Sequence, residues 1–282
     1  MEIQASIQAA LEAIAADAAR GEMVFPTHSD IPLRVRRLLD DPDCSIDQLN
    51  KLISAEPLLA AKVVSVANSV AYNPSGRTSS DVRSALSRIG FNTLRSLAIS
   101  VIVKQMQGMA TTPEHRALAA QLWEHTTHVA VLARVIAKRV TRQDPEAAFF
   151  AGIIHEVGGF YLLSRANAYP DLLKGELDFW QGGGEALIGR TVIKALGLPE
   201  SILVALETLW DGFLAMPPAS LGDTLLLADE LSPVPSPLSG SAAKQELVDK
   251  QSIELLIGDD TLSHILAESA EEVASLTSAL KA

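Results

Sequence analysis

Cysteine is nearly missing from this chain: Cys44 is the only one among 282 residues. A single thiol closes no internal disulfide, so stability has to come from a buried apolar core, and the composition suits a reducing compartment. Aromatic residues are scarce, at 5%. Positive charge is also short: 23 Lys and Arg face 34 Asp and Glu, for a net charge of -11. Nucleic acid is therefore not the expected partner, because binders of a polyanion need a basic footprint. No run reaches the about 18 uninterrupted apolar residues of a membrane span. The N-terminus has neither the basic start nor the long apolar stretch of a secretory leader. A cytoplasmic protein without a membrane partner is expected. Alternating strand patterns and fixed-period repeats are missing as well.

What is present favours helices. Hydrophobic residues make up 48% of the chain, and Ala and Leu, which dominate, cost the least to hold in a helix. Ile3, Ile7, Leu11 and Ile14 recur with helical spacing, so residues 2 to about 20 read as an amphipathic lead helix. Pro26 and Pro32 punctuate the stretch that follows. Ser45 stands as an N-cap with Gln48 at the capping-box position. Pro57 suits the first turn of the next helix, on which Leu59, Val63, Val66 and Val70 share a face. Gly90 separates "SDVRSALSRIG" from "NTLRSLAISVIVKQM", two further helices. A long helix is expected over 114–141, and the apolar segment "AAFFAGIIHEVGGFYLL" covers 147–163. Gly197 and Pro199 end another helix, and more follow over 200–209 and 219–231. "SPVPSPLSGS" (232–241) reads by composition as a linker or exposed loop. Two amphipathic helices close the chain. The expected fold is all-α, a multi-helix bundle around one extended core or two adjoining ones. Its expected parts are a lead helix (1–23), a main domain (24–232, with an N-terminal helical part 24–110 and a second part 111–232), and a linker with C-terminal helices (233–282).

Ionisable residues set into apolar stretches carry the chemical signal. His125 shares a stripe with Leu118, Leu122, Val129, Leu132 and Ile136, so it points inward; His128 lies one turn on, beside Glu124. His155-Glu156 interrupts an otherwise oily segment, and Asp229 comes late on the apolar helix of "LLLADELSP". A His, a His–acid pair and a late Asp could converge on one divalent cation. Imidazole with carboxylate suits first-row metals such as Mn, Fe, Ni or Zn. The bland alternative is a buried polar network, since a buried carboxylate must be paired or neutral; His125 or His128 could be that partner. Asn68 and Ser69 end a helix. They could face a partner or small ligand, or form a capping turn with Asn in the left-handed conformation. Gly182-Gly183-Gly184 lacks the Lys-Ser/Thr of a phosphate loop and reads as a turn. Arg34, Arg36 and Arg37 lie beside "DDPD", where pairing with Asp40, Asp41 or Asp43 accounts for them. Trp123 and Trp180 read as core, Trp210 as partly exposed.

The order His125, His155-Glu156 followed by Val157-Gly158, then Asp229, resembles the metal-dependent phosphohydrolases of the HD superfamily, which use His…His-Asp…Asp on helices. Other blocks resemble one branch of it, the HDOD domain of bacterial signalling proteins. "SIDQLNKLISAEPLLAAKVVSVANS" looks like its opening and ends in Ala67-Asn68-Ser69. "VRSALSRIGFNTLRSLAIS" is similar to its next block, with Ala85 and Gly90 at the small-residue positions, and "ALGLPESI" to a later turn.

The resemblance implies an HD-like helical fold with an N-terminal helical subdomain, and His125, His155, Glu156 and Asp229 as the metal ligands. The departures narrow this. Glu156 stands where HD enzymes have Asp, and one methylene displaces the carboxylate by about 1.5 Å against a tolerance of about 0.5 Å. Gly159 stands where active HD-GYP enzymes carry Lys, and "ALETLWDGFLAMP" lacks their paired His and Gly-Tyr-Pro. A site of one metal at most is implied, with His155 and Glu156 as vestiges of catalytic residues. The expected function is regulation of signal transduction through contacts with other signalling proteins, without catalysis and with no resident cofactor. The alternative is a metal-dependent phosphohydrolase acting on a nucleotide or cyclic nucleotide phosphate ester.

Overall fold

The computed structural model describes residues 2–20, 30–169, 173, 180–215, 217–239 and 261–281. The break expected at Pro26 lies outside them. Within them the fold is all-α, with no strand.

The lead helix is α1 (Glu2–Ala19), and four helices follow: α2 (Asp30–Leu39), α3 (Ile46–Ser54), α4 (Pro57–Asn68) and α5 (Val82–Gln107). The local signals act as expected. Ser45 and Gln48 form the capping box of α3, and Pro57 opens α4. Gly90 takes φ +77 inside α5, a left-handed conformation that glycine adopts without strain, and it breaks the helix there. The long helix is α6 (Pro113–Ile136), capped by Thr112. It runs into a π-helical turn over Ala137–Thr141.

The apolar segment is not one helix. α7 (Pro145–Ile154) stops at His155, and α8 (Val157–Arg165) restarts after Glu156, whose backbone leaves helical geometry at φ -99, ψ 15. α9 (Glu185–Ala195), α10 (Glu200–Asp211), α11 (Leu221–Glu230), α12 (Thr261–Glu268) and α13 (Ala270–Lys281) complete the described chain. The Gly182–Gly184 run belongs to a π-helical turn, Trp180–Gly184, that leads into α9.

Apolar side chains gather in two adjoining clusters. One centres on α6 to α11 with Ile7, Leu11 and Ile14 of α1, and includes Trp123, Phe160, Tyr161 and Trp180. The other joins α2 to α5 with Ala130, Val131, Phe149 and Ile153, and takes in Leu276 and Leu280 of α13. Both clusters share α6 and α7, which pack tightly at Gly152: a Cβ there would lie 2.8 Å from the Ala130 nitrogen and closer still to its Cα. Two stretches, Val82–Gln107 and Pro145–Arg165, are long and apolar enough to cross a membrane by composition alone; both are mostly buried in these cores.

Two sequence expectations need correction. Arg36 does not pair with the neighbouring acids: its guanidinium bonds the carbonyls of Leu196 and Gly197 (2.6 Å to the latter), so α2 caps the end of α9. Asp40 instead pairs with Arg95. Asn68 is not left-handed, since Arg142 is the only described non-glycine residue with positive φ. The Asn68 side chain clamps the following loop by accepting from the Ser79 N–H (2.7 Å) and donating to the Ser79 carbonyl (2.8 Å). Ser69 is buried, and its hydroxyl donates to the Val66 carbonyl. Both side chains thus bond to the chain's own backbone.

Candidate metal centre

The break between α7 and α8 positions the site. His155 ends one helix and Glu156 precedes the next, so the two side chains escape the about 100° separation of helix neighbours and reach one spot. Gly158 lets α8 sit against α9: a Cβ would meet the Gly189 backbone at 3.0 Å. α6 brings His125 and α11 brings Asp229.

His125, His155 and Glu156 are buried, and each offers a ligand atom within 4.8 Å of the others. The two Nε2 atoms are 3.1 Å apart. Asp229 Oδ1 lies 3.0 Å from His125 Nε2 and 4.0 Å from His155 Nε2. The extra methylene of Glu156 therefore does not carry its carboxylate out of reach. His128 takes no part and lies towards Glu124 and Lys281 instead.

The outer ring nitrogens settle the tautomers. His125 Nδ1 is 2.7 Å from the Val234 carbonyl, and His155 Nδ1 is 2.7 Å from the Gly152 carbonyl. A carbonyl only accepts, so each Nδ1 carries the proton. In the neutral rings both Nε2 lone pairs then face each other and the Asp229 carboxylate, three acceptors with nothing donated between them. A proton shared within this group, or a metal cation, would relieve the clash of acceptors. Burial opposes charge on His125, but the bond to Asp229, with Glu156 nearby, outweighs it and raises its pKa. Burial and the facing His125 push His155 down to about 4.

The donor set fits a divalent ion. Ligands held at about 2.1 Å stand about 3 Å apart at right angles and about 4 Å apart across the ion, which the three measured separations match. Imidazoles anchored through Nδ1 to backbone carbonyls have the outer support usual for metal-binding histidines. Glu156 adds a further sign: Ser236 Oγ donates to its Oε1 at 2.5 Å, while Oε2 is buried with no partner. Burial lifts the Glu156 pKa.

Beside these residues opens a cavity of ≈ 220 Å³, lined in part by His155, Glu156, Trp180, Glu185, Trp210 and Asp229. Among the described residues, three acidic side chains and no Lys or Arg line it. Burial, then Glu156 and Asp229, drive the Glu185 pKa well above the carboxylate range. Sequence reading missed Glu185; an acid opening a largely apolar helix directly after three glycines was its signal.

It also misplaced "SPVPSPLSGS". Residues 232–239 lie as a strap across the site: Val234 holds His125, Ser236 holds Glu156, and Leu238 is buried. A Cβ on Gly159 would come within 2.6 Å of Leu238 Cδ1 and 2.9 Å of Glu156 Oε2. Gly159 and Leu238 thus share one space.

Known proteins share this fold. Among solved structures, a presumptive metal-dependent phosphohydrolase from Shewanella amazonensis superposes with a TM-score of 0.73 at 20% identity, covering 98% of this chain and 99% of that one. An HDOD domain protein of unknown function from Geobacter sulfurreducens gives 0.61 at 25% identity, with 95% and 97% covered. A presumptive signal transduction protein from Marinobacter aquaeolei gives 0.59 at 18%, covering 97% of this chain and 66% of that one. A Treponema pallidum protein of uncharacterized role is 26% identical over 142 residues, half of this chain but only 26% of that protein's length. Residues 25–177, which include His125, His155 and Glu156, match the HDOD domain. The chain belongs to the HDOD domain family.

Proposed function

We propose that this chain is a regulatory module of bacterial signal transduction, acting in the cytoplasm through contacts with other signalling proteins and turning over no substrate. The cavity beside the histidines carries this reading. Among the described residues its lining holds three acidic side chains and no cationic one, so a phosphate ester entering it finds no positive side chain to receive its charge. Gly159 stands where the resemblance places the lysine of active HD-GYP enzymes, and Leu238 occupies the space a side chain there would need.

His125, His155 and Asp229, with Glu156 in reach, would hold a divalent ion. Such an ion supplies Lewis acidity when bound. In the regulatory reading it acts as a cross-link between α6, the α7–α8 break and α11. The second reading, a metal-dependent phosphohydrolase of nucleotide or cyclic nucleotide phosphate esters, is favoured by the ion-compatible spacing of the two Nε2 atoms and Asp229.

Elemental mass spectrometry of untagged protein, followed by a phosphate-ester screen with Mn, Fe, Ni and Zn, separates the readings. No turnover is expected with any metal. Metal-dependent phosphate release that disappears in His155→Ala would overturn the regulatory reading.

A further inference from the structure

We infer that the seat of α13 is a helix-binding groove that also receives an amphipathic helix of a partner protein, with α13 as its resident, displaceable occupant. The inference rests on the protein-contact reading above and names the surface that would serve it.

α13 lies against α4 and α6, outside the residues that match the family domain. Glu272, Leu276 and Leu280 are spaced i, i+4 and i+8, so they share one helix face. The groove reads both ends of that face. Arg134 binds Glu272 at 2.5 Å. Eight residues on, about 12 Å along a helix, Lys62 donates to the Leu280 carbonyl and Lys104 to the Lys281 carbonyl. The last carbonyls of a helix have no partner of their own and carry its negative dipole end, so two ammonium groups select a helix terminus. Between the ends, Leu276 and Leu280 enter the apolar cluster. Ser275 Oγ accepts from the Val70 N–H.

Each of these side chains also touches a group outside α13. Arg134 is also held by Glu146 at 3.1 Å and lies over the Tyr72 ring. Lys62 and Lys104 both approach the Trp123 ring, at 5.7 and 5.2 Å from its centre. The hold on α13 is imperfect. Thr277 and, just before the helix, Ser269 bury hydroxyls with no partner, a cost that leaving would remove. Lys62 is buried, and burial followed by Lys104 brings its pKa down to about 8; departure of α13 would return it to water. Three cations on a chain of net charge -11 favour one class of occupant by charge complementarity. That occupant is a helix carrying Glu, then Leu four and eight residues later, and ending within a turn of the second Leu.

The test titrates a labelled synthetic peptide of the α13 sequence, SAEEVASLTSALKA, with the full chain and its Glu272→Gln variant, read by fluorescence anisotropy. Saturable binding is expected, roughly 10-fold tighter to the variant because its resident helix has lost the bond to Arg134. A peptide with both leucines changed to alanine should not bind. Hydrogen exchange on the wild-type chain should show α13 opening more readily than α6. No peptide binding to either protein, or α13 protected as long as α6, would overturn the inference. A concentration-dependent dimer dissolved by free peptide would assign the seat to a second copy's α13 and overturn the hetero-partner. Phosphate release in the screen above would sink the regulatory reading alone and leave this titration standing.

Discussion

Gly152→Ala is the sharpest probe of how the fold builds the centre. The new Cβ would stand 2.8 Å from the Ala130 nitrogen, where non-bonded heavy atoms settle at about 3.5–4.0 Å. The shortfall is about 1 Å there and larger at the Ala130 Cα, which would be nearer still. Its neighbours are backbone atoms of α6, which cannot rotate aside, so the helices must part. Overpacking of this kind costs about 1–3 kcal/mol, with a rigid wall on the high side. Alanine returns about 1 kcal/mol of helix propensity. The net expected loss is about 2 kcal/mol in urea unfolding, with the slope unchanged. The same movement separates His125 on α6 from His155, whose Nδ1 is tied to the Gly152 carbonyl. With Nε2 atoms 3.1 Å apart and a tolerance of about 0.5 Å, cation affinity measured by calorimetry should fall roughly 10-fold. A variant as stable as wild type would refute the reasoning, because propensity alone would then outweigh the apposition.

Four further outcomes are expected. In chelator, wild-type stability should fall as the pH drops from about 6.5 towards 4. The unfolded chain takes a proton that folded His155 refuses, and the ceiling is about 3 kcal/mol. His125 runs the other way, its raised pKa adding stability at low pH that is lost as pH rises through its folded value, so parallel profiles for wild type and His155→Gln would contradict the assignment. Leu238→Ala should cost about 2–4 kcal/mol by thermal unfolding, whereas a change within 0.5 kcal/mol would mean that the strap is only laid on the surface. Burial tends to raise the Asp223 carboxyl, but hydrogen bonds from Ser220, Ala215 and Ala219 prevail and hold its pKa low. Asp223→Asn should therefore cost about 1–3 kcal/mol at pH 7, a deficit that narrows below about pH 4 and whose persistence there would point to packing. Glu156→Asp should keep or improve cation affinity by calorimetry, and a large loss would show that the longer side chain is required.

The helices were legible because their signals are local. Ser45 and Gln48, Pro57, and Gly90 act within a turn of where they stand, and each is found acting there. His125, His155, Glu156 and Asp229 were legible as candidates because a polar group in an apolar stretch is conspicuous in one dimension. Glu185 was not, since its meaning depends on Glu156 and Asp229 beside it. The strap was not either, because a Pro- and Ser-rich run has no periodicity to show which side it buries. Arg36 followed the same rule: its nearest acids in sequence lost to carbonyls 160 positions away.

The sequence by itself determined the all-α class, the family and the candidate residues, because caps, periodicity and residue order are short-range. Only the tertiary structure decided that His155 and Glu156 share a helix break, that two imidazoles face each other with their lone pairs, and that residues 232–239 close over them. Those outcomes depend on distances between helices far apart in the chain, and packing sets such distances through contacts like Gly152 on Ala130.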